Sequence, residues 1–444
     1  MLQKPEEALW RGALALFPDT ANINEKGHLT LGGCDTQDLA REFGTPLYIF
    51  DEATLRSRCS LFIEEFARRY PETQVIYAAK AFLCQTIALI LKEEGLGLDV
   101  VSGGEMAAAH SVAFPMERVY FHGNNKAPGE LRLALDWGVG RVVVDNFHEL
   151  ALLNSLARDG EQDIWLRLSP GIDPHTHGHT TTGILDSKFG FSMATGQAEE
   201  AVSKALAAPH LRLKGLHVHL GSPVYELEPY REAVEVVLPF AAAMKERHGF
   251  FMEEFSPGGG YAITYTEDKV APPIGDYAAV IATALKEEAA TWDLPLPRLV
   301  VEPGRAIVGP AGVALYTVGS IKDIPGIRRY VSVDGGMGDN IRPPLYGSRY
   351  QALVANKAAS PEEETVTLAG RFCESGDVLI RDIALPELSP GDLVALPGAG
   401  AYCIPMASNY NMVPRPAIVL VFRGEARLIR RRETYEDLLN EDYS

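Results

Sequence analysis

Apolar runs alternate with amphipathic segments over the first two thirds of the chain. From about residue 75 to residue 304, short runs rich in β-branched residues are separated by stretches rich in Ala, Leu and Glu. This alternation predicts strands joined by helical crossovers. The predicted strands are 75–80, 97–102, 119–124, 141–145, 163–170, 213–222, 253–260 and 298–304. Eight such strands are typical of a (β/α)8 TIM barrel. An open doubly wound sheet is disfavoured, because 258-GGGYAI-263 fails the GxGxxG pattern and follows a late strand.

The pattern changes after residue 310. Short strand-like runs separated by Gly and Pro turns, such as VALYTVGSI, RYVSVDGG and PAIVLVFRG, predict a β-sandwich or β-barrel domain. The opening 45 residues hold similar runs, GHLTLGG and TPLYIF, which we expect to join it. The sequence therefore predicts an α/β protein with a TIM barrel at 48–312 and a C-terminal β-domain (313–444) that includes the N-terminal segment 1–47.

Composition and charge narrow the function classes. A formal charge of -18 and a pI near 5.1 argue against nucleic acid or an anionic membrane surface as partner. No segment approaches the roughly 18 apolar residues of a membrane span. Glu6, Glu7 and Arg11 interrupt the N-terminus where a signal peptide needs an apolar core. The five cysteines are scattered and odd in number, which favours reduced thiols in the cytoplasm.

Lys80 ends the first predicted strand, in 75-VIYAAKAFLC-84. A lone lysine at this position usually extends its ammonium into solvent from the strand end. The alternative is a nucleophilic amine that bonds covalently to a carbonyl cofactor. The other strand ends bear on this choice, because the carboxyl ends of the strands form the catalytic face of a barrel.

Several strand ends carry groups that suit a phosphate. His217 and His219 lie on the sixth strand and are followed by Gly221 and Ser222. Gly258 to Gly260 end the seventh strand, and Glu302 and Arg305 end the eighth. Backbone amides, a hydroxyl and an arginine fork can together bind a phosphate dianion. We expect His219 to stack on a flat cofactor, although a packed, hydrogen-bonded histidine remains an alternative.

A metal site is the rival interpretation of 217-HVHLG-221. HxH on a barrel strand is a metal-ligand pattern, and His175, His177 and His179 add imidazoles. In the metal-dependent amidohydrolases, however, this pattern belongs on the first strand, which here carries Lys80. We therefore expect no metal.

The chain resembles the fold-type III pyridoxal-phosphate decarboxylases from about residue 17 to residue 425. The motifs, in the family's order, are YAAKA, LDVVSGGE, GNNK, SKFG, HVHLGS, GGG, EPGR, CESGD and GAYCIPMASNYN. The resemblance implies pyridoxal 5'-phosphate as cofactor, an amino-acid substrate, and a homodimer with active sites shared across the interface. One departure is Met412, where arginine commonly follows SNYN.

The resemblance also implies residue roles. Lys80 would bind the cofactor covalently, His219 would stack on its ring, and Glu302 would face its ring nitrogen. Further cofactor contacts would come from Asp99, Arg167, Ser222, Gly259, Gly260, Gly304, Arg305 and Tyr402. Substrate contacts would come from Arg305, Arg342, Tyr346, Glu374 and Tyr402. Cys373, donated with Glu374 by the partner subunit, would reprotonate the product.

Two considerations favour a decarboxylase within this fold. A carboxylate such as Glu302 keeps the ring nitrogen protonated and strengthens the electron sink, whereas racemases of this fold place an arginine there. A non-catalytic pyridoxal-phosphate carrier would lack the β-domain.

Arg342 in 339-DNIRPPLY-346 bears on the choice of substrate. It favours a substrate with a distal carboxylate over the substrates of the ornithine, lysine and carboxynorspermidine types of decarboxylase. The alternative left open is that Arg342 pairs with Asp339 or Glu374.

Overall fold

The computed structural model describes residues 14–158, 160–172 and 187–442. Its internal contacts divide the chain into two compact units. We call the first the barrel unit, made of the described residues within Cys59–Ala262 and Ala271–Gly304. The second, the β-unit, comprises the described residues up to Arg58, the segment Ile263–Val270 and the chain from Arg305 onward. The domain boundaries expected from the sequence remain a prediction. His175, His177 and His179 lie outside the described residues.

Eight parallel strands close the barrel unit into a ring. They are β1 (Thr73–Ala78), β2 (Gly97–Val100), β3 (Val119–Phe121), β4 (Arg141–Val144), β5 (Gln162–Ser169), β6 (Leu211–His217), β7 (Glu254–Gly258) and β8 (Arg298–Val301). Each strand pairs with the next, and β8 pairs with β1, so the ring has no open edge. A two-residue strand, Phe191–Ser192, adds to β5. The predicted barrel and all eight of its strands are confirmed.

Helices connect the barrel strands, as parallel pairing requires. They span Gln85–Glu93, Gly103–Ser111, Pro128–Asp136, Phe147–Leu156, Gln197–Leu206, Glu228–His248 and Ile274–Thr291, and Glu52–Arg69 precedes β1. Local sequence sets where some of them begin. Ser102 and Asn146 each accept a backbone N–H from the first turn of the helix that follows, which satisfies an otherwise unpaired donor.

Apolar and aromatic side chains fill the barrel. Ile76, Tyr120, Val143, Trp165 and Val300, from five different strands, form one buried cluster. Their burial supplies the hydrophobic free energy that holds the ring closed. The barrel is therefore a packed core, and its chemistry is confined to the strand ends.

The β-unit is built around a mixed sheet that confirms the predicted β-domain and its use of the N-terminal segment. Leu47–Asp51 lies between Gly312–Ile324 and Ala417–Phe422 in this sheet. The sheet continues through Arg328–Val333, Glu364–Ala369 and Val378–Leu385 on one side and Glu425–Arg430 on the other, with Leu353–Val354 and Leu393–Leu396 attached. Asn22–Ile23, Leu29–Leu31 and Cys34–Asp35 form a small separate sheet.

One apolar core, including Leu29, Ile49, Leu315 and Val419, packs both sheets of the β-unit together. Its helices are Thr36–Phe43, Arg305–Val308, Arg342–Tyr346 and Tyr435–Leu439, with single 3-10 turns at Ala355–Lys357, Ile404–Met406 and Tyr410–Met412. Among the described residues, no helix has the length and apolarity needed to cross a membrane.

Candidate active site

Lys80 lies immediately beyond β1, in the one-turn helix Ala79–Ala81. Its ammonium Nζ is 3.6 Å from Oδ2 of Asp99, a residue of β2 whose side chain is 1% exposed. The lysine side chain is 38% exposed, so the amine is held at the rim of the barrel by a buried carboxylate. A simple strand-end lysine would not need this partner. The geometry presents an accessible amine next to a fixed negative charge.

Glu302 follows β8 and is buried. Its Oε2 lies 3.1 Å from Nε2 of His217, and its Oε1 accepts a hydrogen bond of 2.9 Å from the Ser256 hydroxyl. His122 Nε2 approaches the same carboxylate at 3.6 Å. Burial raises the pKa of Glu302, but the interactions with His217 and His122 outweigh it and leave the pKa below its usual value. The barrel therefore holds an ionised carboxylate at the end of its last strand.

His122, His217 and Ser256 are functional candidates that the sequence did not single out for this role. His122 follows β3, and His217 and Ser256 lie on β6 and β7. The sequence signal was the HVH pattern, which gave His217 a possible metal role instead. Ligand atoms of His122, His217 and Glu302 lie within 4.8 Å of one another, so a metal ion would draw on this set and not on the HVH pair.

His219 is half-buried beyond β6. Its Nδ1 accepts the backbone N–H of Gly259 at 3.2 Å. Burial, followed by the positive charges of Lys80 and Arg167, lowers its pKa well below the usual value. The imidazole is therefore neutral, which suits a ring that packs against a flat heterocycle.

The glycines after β7 form a turn that side chains would block. A Cβ on Gly259 would lie 2.1 Å from the carbonyl oxygen of Glu302, and one on Gly260 would lie 2.3 Å from that of Gly221. Gly260 also has φ of +99°, which L-residues rarely adopt. The turn thus brings bare backbone near Ser222, and exposed N–H groups of this kind bind phosphate oxygens.

Gly304 is constrained in another way, since a Cβ there would lie 3.0 Å from the methyl groups of Ala78 and Ala81. These two alanines flank Lys80 closely in sequence. The absence of a side chain at Gly304 therefore lets the β8 end pack against the segment that carries the lysine.

Arg167 adds a buried cation from β5. Its guanidinium lies 4.2 Å from the centroid of the Phe189 ring, and its Nε is 3.9 Å from Asp145 Oδ1. Burial lowers the pKa of Arg167, yet a guanidinium remains charged at neutral pH. This positive charge is partly balanced by the negative charges of Asp145, Glu302 and Asp99.

The barrel residues fit pyridoxal phosphate. The donor set comprises an amine, a neutral imidazole, a buried ionised carboxylate and a glycine turn that a Cβ would fill. Both carboxylate oxygens of Asp99 are buried, and neither has a hydrogen-bond partner among the described residues. An aldehyde, a flat ring, a ring nitrogen and a phosphate group are complementary to these features.

In the β-unit, two arginines lie among tyrosines. Arg305 donates from Nη1 to the hydroxyl of Tyr265 at 2.7 Å, and its guanidinium lies 4.7 Å from the ring centroid of Tyr402. Arg342 is buried and lies 5.5–5.9 Å from the ring centroids of Tyr265, Tyr346 and Tyr402. Tyr402 has φ of +61°, a left-handed conformation that is uncommon for non-glycine residues and is enriched at functional sites.

The alternative pairing of Arg342 with a protein carboxylate is not what the described residues show. The carboxylate of Asp339 instead accepts hydrogen bonds from the hydroxyls of Tyr48 and Tyr316. Glu374 accepts from Ser375. Arg342 donates from Nε to Tyr350 at 2.8 Å and from Nη2 to Ser348 at 3.2 Å. Among the described residues, the side-chain hydrogen bonds of Arg342 therefore go to hydroxyl groups and not to a carboxylate.

Cys373 and Glu374 are exposed on the β-unit. The Cys373 backbone donates to Asn411 Oδ1 at 2.9 Å and accepts from the Tyr410 hydroxyl at 3.3 Å. Met412, the departure from the family pattern, lies with Tyr410 and Asn411 in the one-turn helix Tyr410–Met412 and is 55% exposed. The other four cysteines are buried and form no disulfide.

Comparison with known proteins agrees with this chemistry. Residues 53–309 match the family described as "Pyridoxal-dependent decarboxylase, pyridoxal binding domain". The fold and the site thus define a pyridoxal-dependent decarboxylase.

Similarity to individual proteins extends over nearly the whole chain. It is 46% identical to diaminopimelate decarboxylase of Bacillus subtilis, covering 95% of this chain and 97% of that one. Its identity to the Halalkalibacterium halodurans enzyme of the same name is 44%, covering 96% and 98%. The crystal structure of the m. jannaschii diaminopimelate decarboxylase with L-lysine superposes with a TM-score of 0.89 at 34% identity, covering 96% and 98%. The chain belongs to the diaminopimelate decarboxylase family.

Proposed function

We propose that the chain catalyses the pyridoxal-phosphate-dependent decarboxylation of meso-2,6-diaminopimelate to L-lysine and CO2. Family membership supports the reaction, and the buried, ionised Glu302 is the observation that carries its mechanism. A carboxylate at the end of β8 suits a decarboxylase because it stabilises a protonated ring nitrogen. This places the protein in lysine biosynthesis as a carboxy-lyase.

The barrel unit would hold the cofactor. Lys80 would bind its carbonyl carbon, His219 its ring face, Glu302 its ring nitrogen, and Ser222 with Gly259 and Gly260 its phosphate. When bound, pyridoxal phosphate supplies an electron sink for the pair released as the α-carbon loses CO2. The chain's own contribution is to keep charges fixed. Asp99 on β2 and Arg167 on β5 hold opposite charges near this site without having to reorganise during the reaction.

The β-unit would supply the residues that bind the substrate. Arg305 and Arg342 are the cations for carboxylates, because a guanidinium can donate two parallel hydrogen bonds to one carboxylate. Tyr346, Glu374 and Tyr402 are the proposed partners for the remaining polar groups. Cys373 would donate the proton that replaces the departing carboxylate on the carbon, which balances the reaction.

We further propose a homodimer in the cytoplasm, with Cys373 and Glu374 acting in the partner's site. The exposure of both residues supports a role toward another chain. The five cysteines form no disulfide, which suits a reducing compartment.

CO2 release from a panel of amino acids, measured with added pyridoxal phosphate, tests the proposed function. We expect meso-diaminopimelate to react with a kcat/KM at least about a hundredfold above those of ornithine, lysine and arginine. Each of these has a single carboxylate, so as a substrate it has none left at the distal end. Preference for ornithine or lysine would instead indicate a diamine-forming enzyme. Cofactor binding without any CO2 release would indicate a carrier protein.

A further inference from the structure

A closed set of hydrogen bonds surrounds Arg342. Its Nε donates to the Tyr350 hydroxyl at 2.8 Å, and that hydroxyl lies 3.6 Å from Sγ of Cys403. The Cys403 thiol is 3.5 Å from Oδ1 of Asn340, which also accepts the backbone N–H of Arg342 at 3.3 Å. These hydrogen bonds start at the side chain of Arg342 and end at Asn340, two residues earlier in the sequence. The guanidinium is thus fixed to its own backbone through three buried side chains, those of Tyr350, Cys403 and Asn340.

The direction of these hydrogen bonds follows from the protonation of each group. Burial raises the pKa of the Cys403 thiol to about 11 and raises that of Tyr350 well above its usual value. Both groups therefore keep their protons at neutral pH. The Tyr350 oxygen accepts from Arg342, which leaves its own proton for the Cys403 sulfur, and the thiol proton then points to Asn340. The carbonyl oxygen of Ala401, 3.7 Å from the same sulfur, is a second acceptor for the thiol proton.

Tyr265 extends the arrangement to the second arginine. Its ring packs edge-to-face on Tyr350, with centroids 5.4 Å apart and planes at 78°. Its hydroxyl accepts from Nη1 of Arg305 at 2.7 Å. Both tyrosines are buried. Arg305 and Arg342 are consequently held by two tyrosines that touch each other, so the separation of the two cations is set by a rigid aromatic contact.

We propose that Tyr350 and Tyr265 are positioning residues that fix the orientation and spacing of the two guanidiniums and thereby select ligands with a carboxylate distal to the reacting amine. This inference rests on the proposed function, which assigns the arginines to the substrate. Preorganised cations gain affinity because less side-chain freedom is lost on binding. Without the Tyr350 hydroxyl, Nε would be a buried donor lacking its acceptor, and the fork could rotate to seek another.

Binding of L-lysine and of 1,5-diaminopentane tests this role. The two ligands differ only in one carboxylate, and in L-lysine, the product of the proposed reaction, this is the carboxylate distal to the reacting end. Their affinities for the cofactor-loaded protein are measured by calorimetry for wild type and Tyr350→Phe. We expect the variant to bind L-lysine about tenfold more weakly and 1,5-diaminopentane within about twofold of wild type, as one misaligned charge-assisted contact predicts. The ratio of the two affinities is the readout, since a general loss of structure would weaken both ligands.

Tyr70→Phe is the matched control. It also removes a buried tyrosine hydroxyl, which donates to the carbonyl of Pro297 at 2.6 Å in the barrel unit, and it should leave the affinity ratio unchanged. If Tyr350→Phe fails to fold, Tyr265→Phe serves in its place, because it removes the acceptor of Arg305 and should lower the same ratio. Thermal denaturation establishes which variants are folded.

The outcomes separate the inference from the proposed function. Wild-type protein that releases no CO2 from meso-diaminopimelate would disprove the proposed function, whatever the variants do. Wild-type protein that releases CO2, combined with equal losses for both ligands or no loss for either in the variant, would overturn the positioning role alone.

Discussion

Glu302 keeps a negative charge where burial alone would remove it. His217, Ser256 and His122 surround its two oxygens, and the interactions with the two histidines reverse the effect of burial on its pKa. The amino acid at this position is readable from EPGR, but its partners come from three other strand ends. They become neighbours only when the barrel closes.

Replacing the carboxylate of Glu302 should separate cofactor binding from catalysis. We expect Glu302→Gln to retain bound pyridoxal phosphate yet lose about 10²-fold or more in kcat, because an amide cannot stabilise a protonated ring nitrogen. Steady-state CO2 release and the cofactor content of the purified protein are the measurements. Glu254→Gln is the control for the loss of a buried carboxylate, because Glu254 begins β7 and so lies at the opposite end of the barrel from Glu302. Near-normal kcat in Glu302→Gln would mean that the carboxylate serves the fold.

Asp339 gives stability a dependence on pH. Burial raises its pKa to about 6, although hydrogen bonds from Tyr316 and Tyr48 partly offset the shift. An acid whose pKa is higher in the folded state stabilises the fold while protonated, so this contribution is lost as pH rises through about 6. The free energy of unfolding of wild type relative to Asp339→Asn should therefore fall by up to about 3 kcal/mol between about pH 4 and pH 8. Urea unfolding at a series of pH values measures it, and a pH-independent difference would contradict the assignment.

At the scale of the elements, a buried ion pair joins two strand ends of the barrel. Lys126, after β3, donates from Nζ to the carbonyls of Gly123 and Val143 and to Glu149 Oε1 at 2.7 Å. Glu149 lies in the first turn of helix Phe147–Leu156. All three donors of the ammonium are used, so Lys126 ties the loop after β3 to the end of β4 and the following helix.

Breaking this pair should destabilise the barrel unit strongly. We expect Lys126→Met to lower the free energy of unfolding by about 3–5 kcal/mol, because the Glu149 carboxylate would remain buried without its counter-ion. Lys126→Met combined with Glu149→Leu should recover most of that loss. The matched surface pair is Lys204 with Glu200, also 2.7 Å apart but about half exposed, where Lys204→Met should change stability by less than about 1 kcal/mol. Similar losses at Lys126 and Lys204 would refute the argument.

The elements of the barrel were predictable because each strand is a separate apolar run bounded by polar residues. Strands of the β-unit were less so. Val378–Leu385 and Glu425–Arg430 were missed, since Arg381, Asp382, Arg427 and Arg430 interrupt them and only long-range pairing makes them strands. Tyr265 and Tyr350 carried no sequence signal as site residues, because 85 positions separate them and their contact exists only in the folded chain.

At the scale of the whole molecule, the chain crosses between its two units repeatedly. The β-unit takes residues from both ends of the sequence and also Ile263–Val270, which lies between β7 and β8. Neither unit is therefore a continuous piece of sequence. Truncating the chain at either end of the barrel unit would therefore remove residues that belong to the β-unit.

The proposed sharing of active sites between two subunits can be tested with mixtures of inactive chains. If Cys373 acts in the partner's site, Lys80→Ala and Cys373→Ala chains that exchange subunits form mixed dimers with one intact site each. Random reassortment should then restore about a quarter of the wild-type sites, by the combinatorics of a two-fold dimer. CO2 release after confirmed subunit exchange is the measurement. No recovery would place Lys80 and Cys373 in the site of a single chain.

Because the cysteines differ in burial, labelling of thiols can be used to count the active sites of the protein. Cys373 is exposed while Cys34, Cys59, Cys84 and Cys403 are buried, so a maleimide dye should find one reactive thiol per native chain and five after denaturation. That single attachment point coincides with the proposed proton donor. Dye uptake and loss of turnover should consequently advance together, and the number of dyes bound at full inactivation counts the working sites in a preparation.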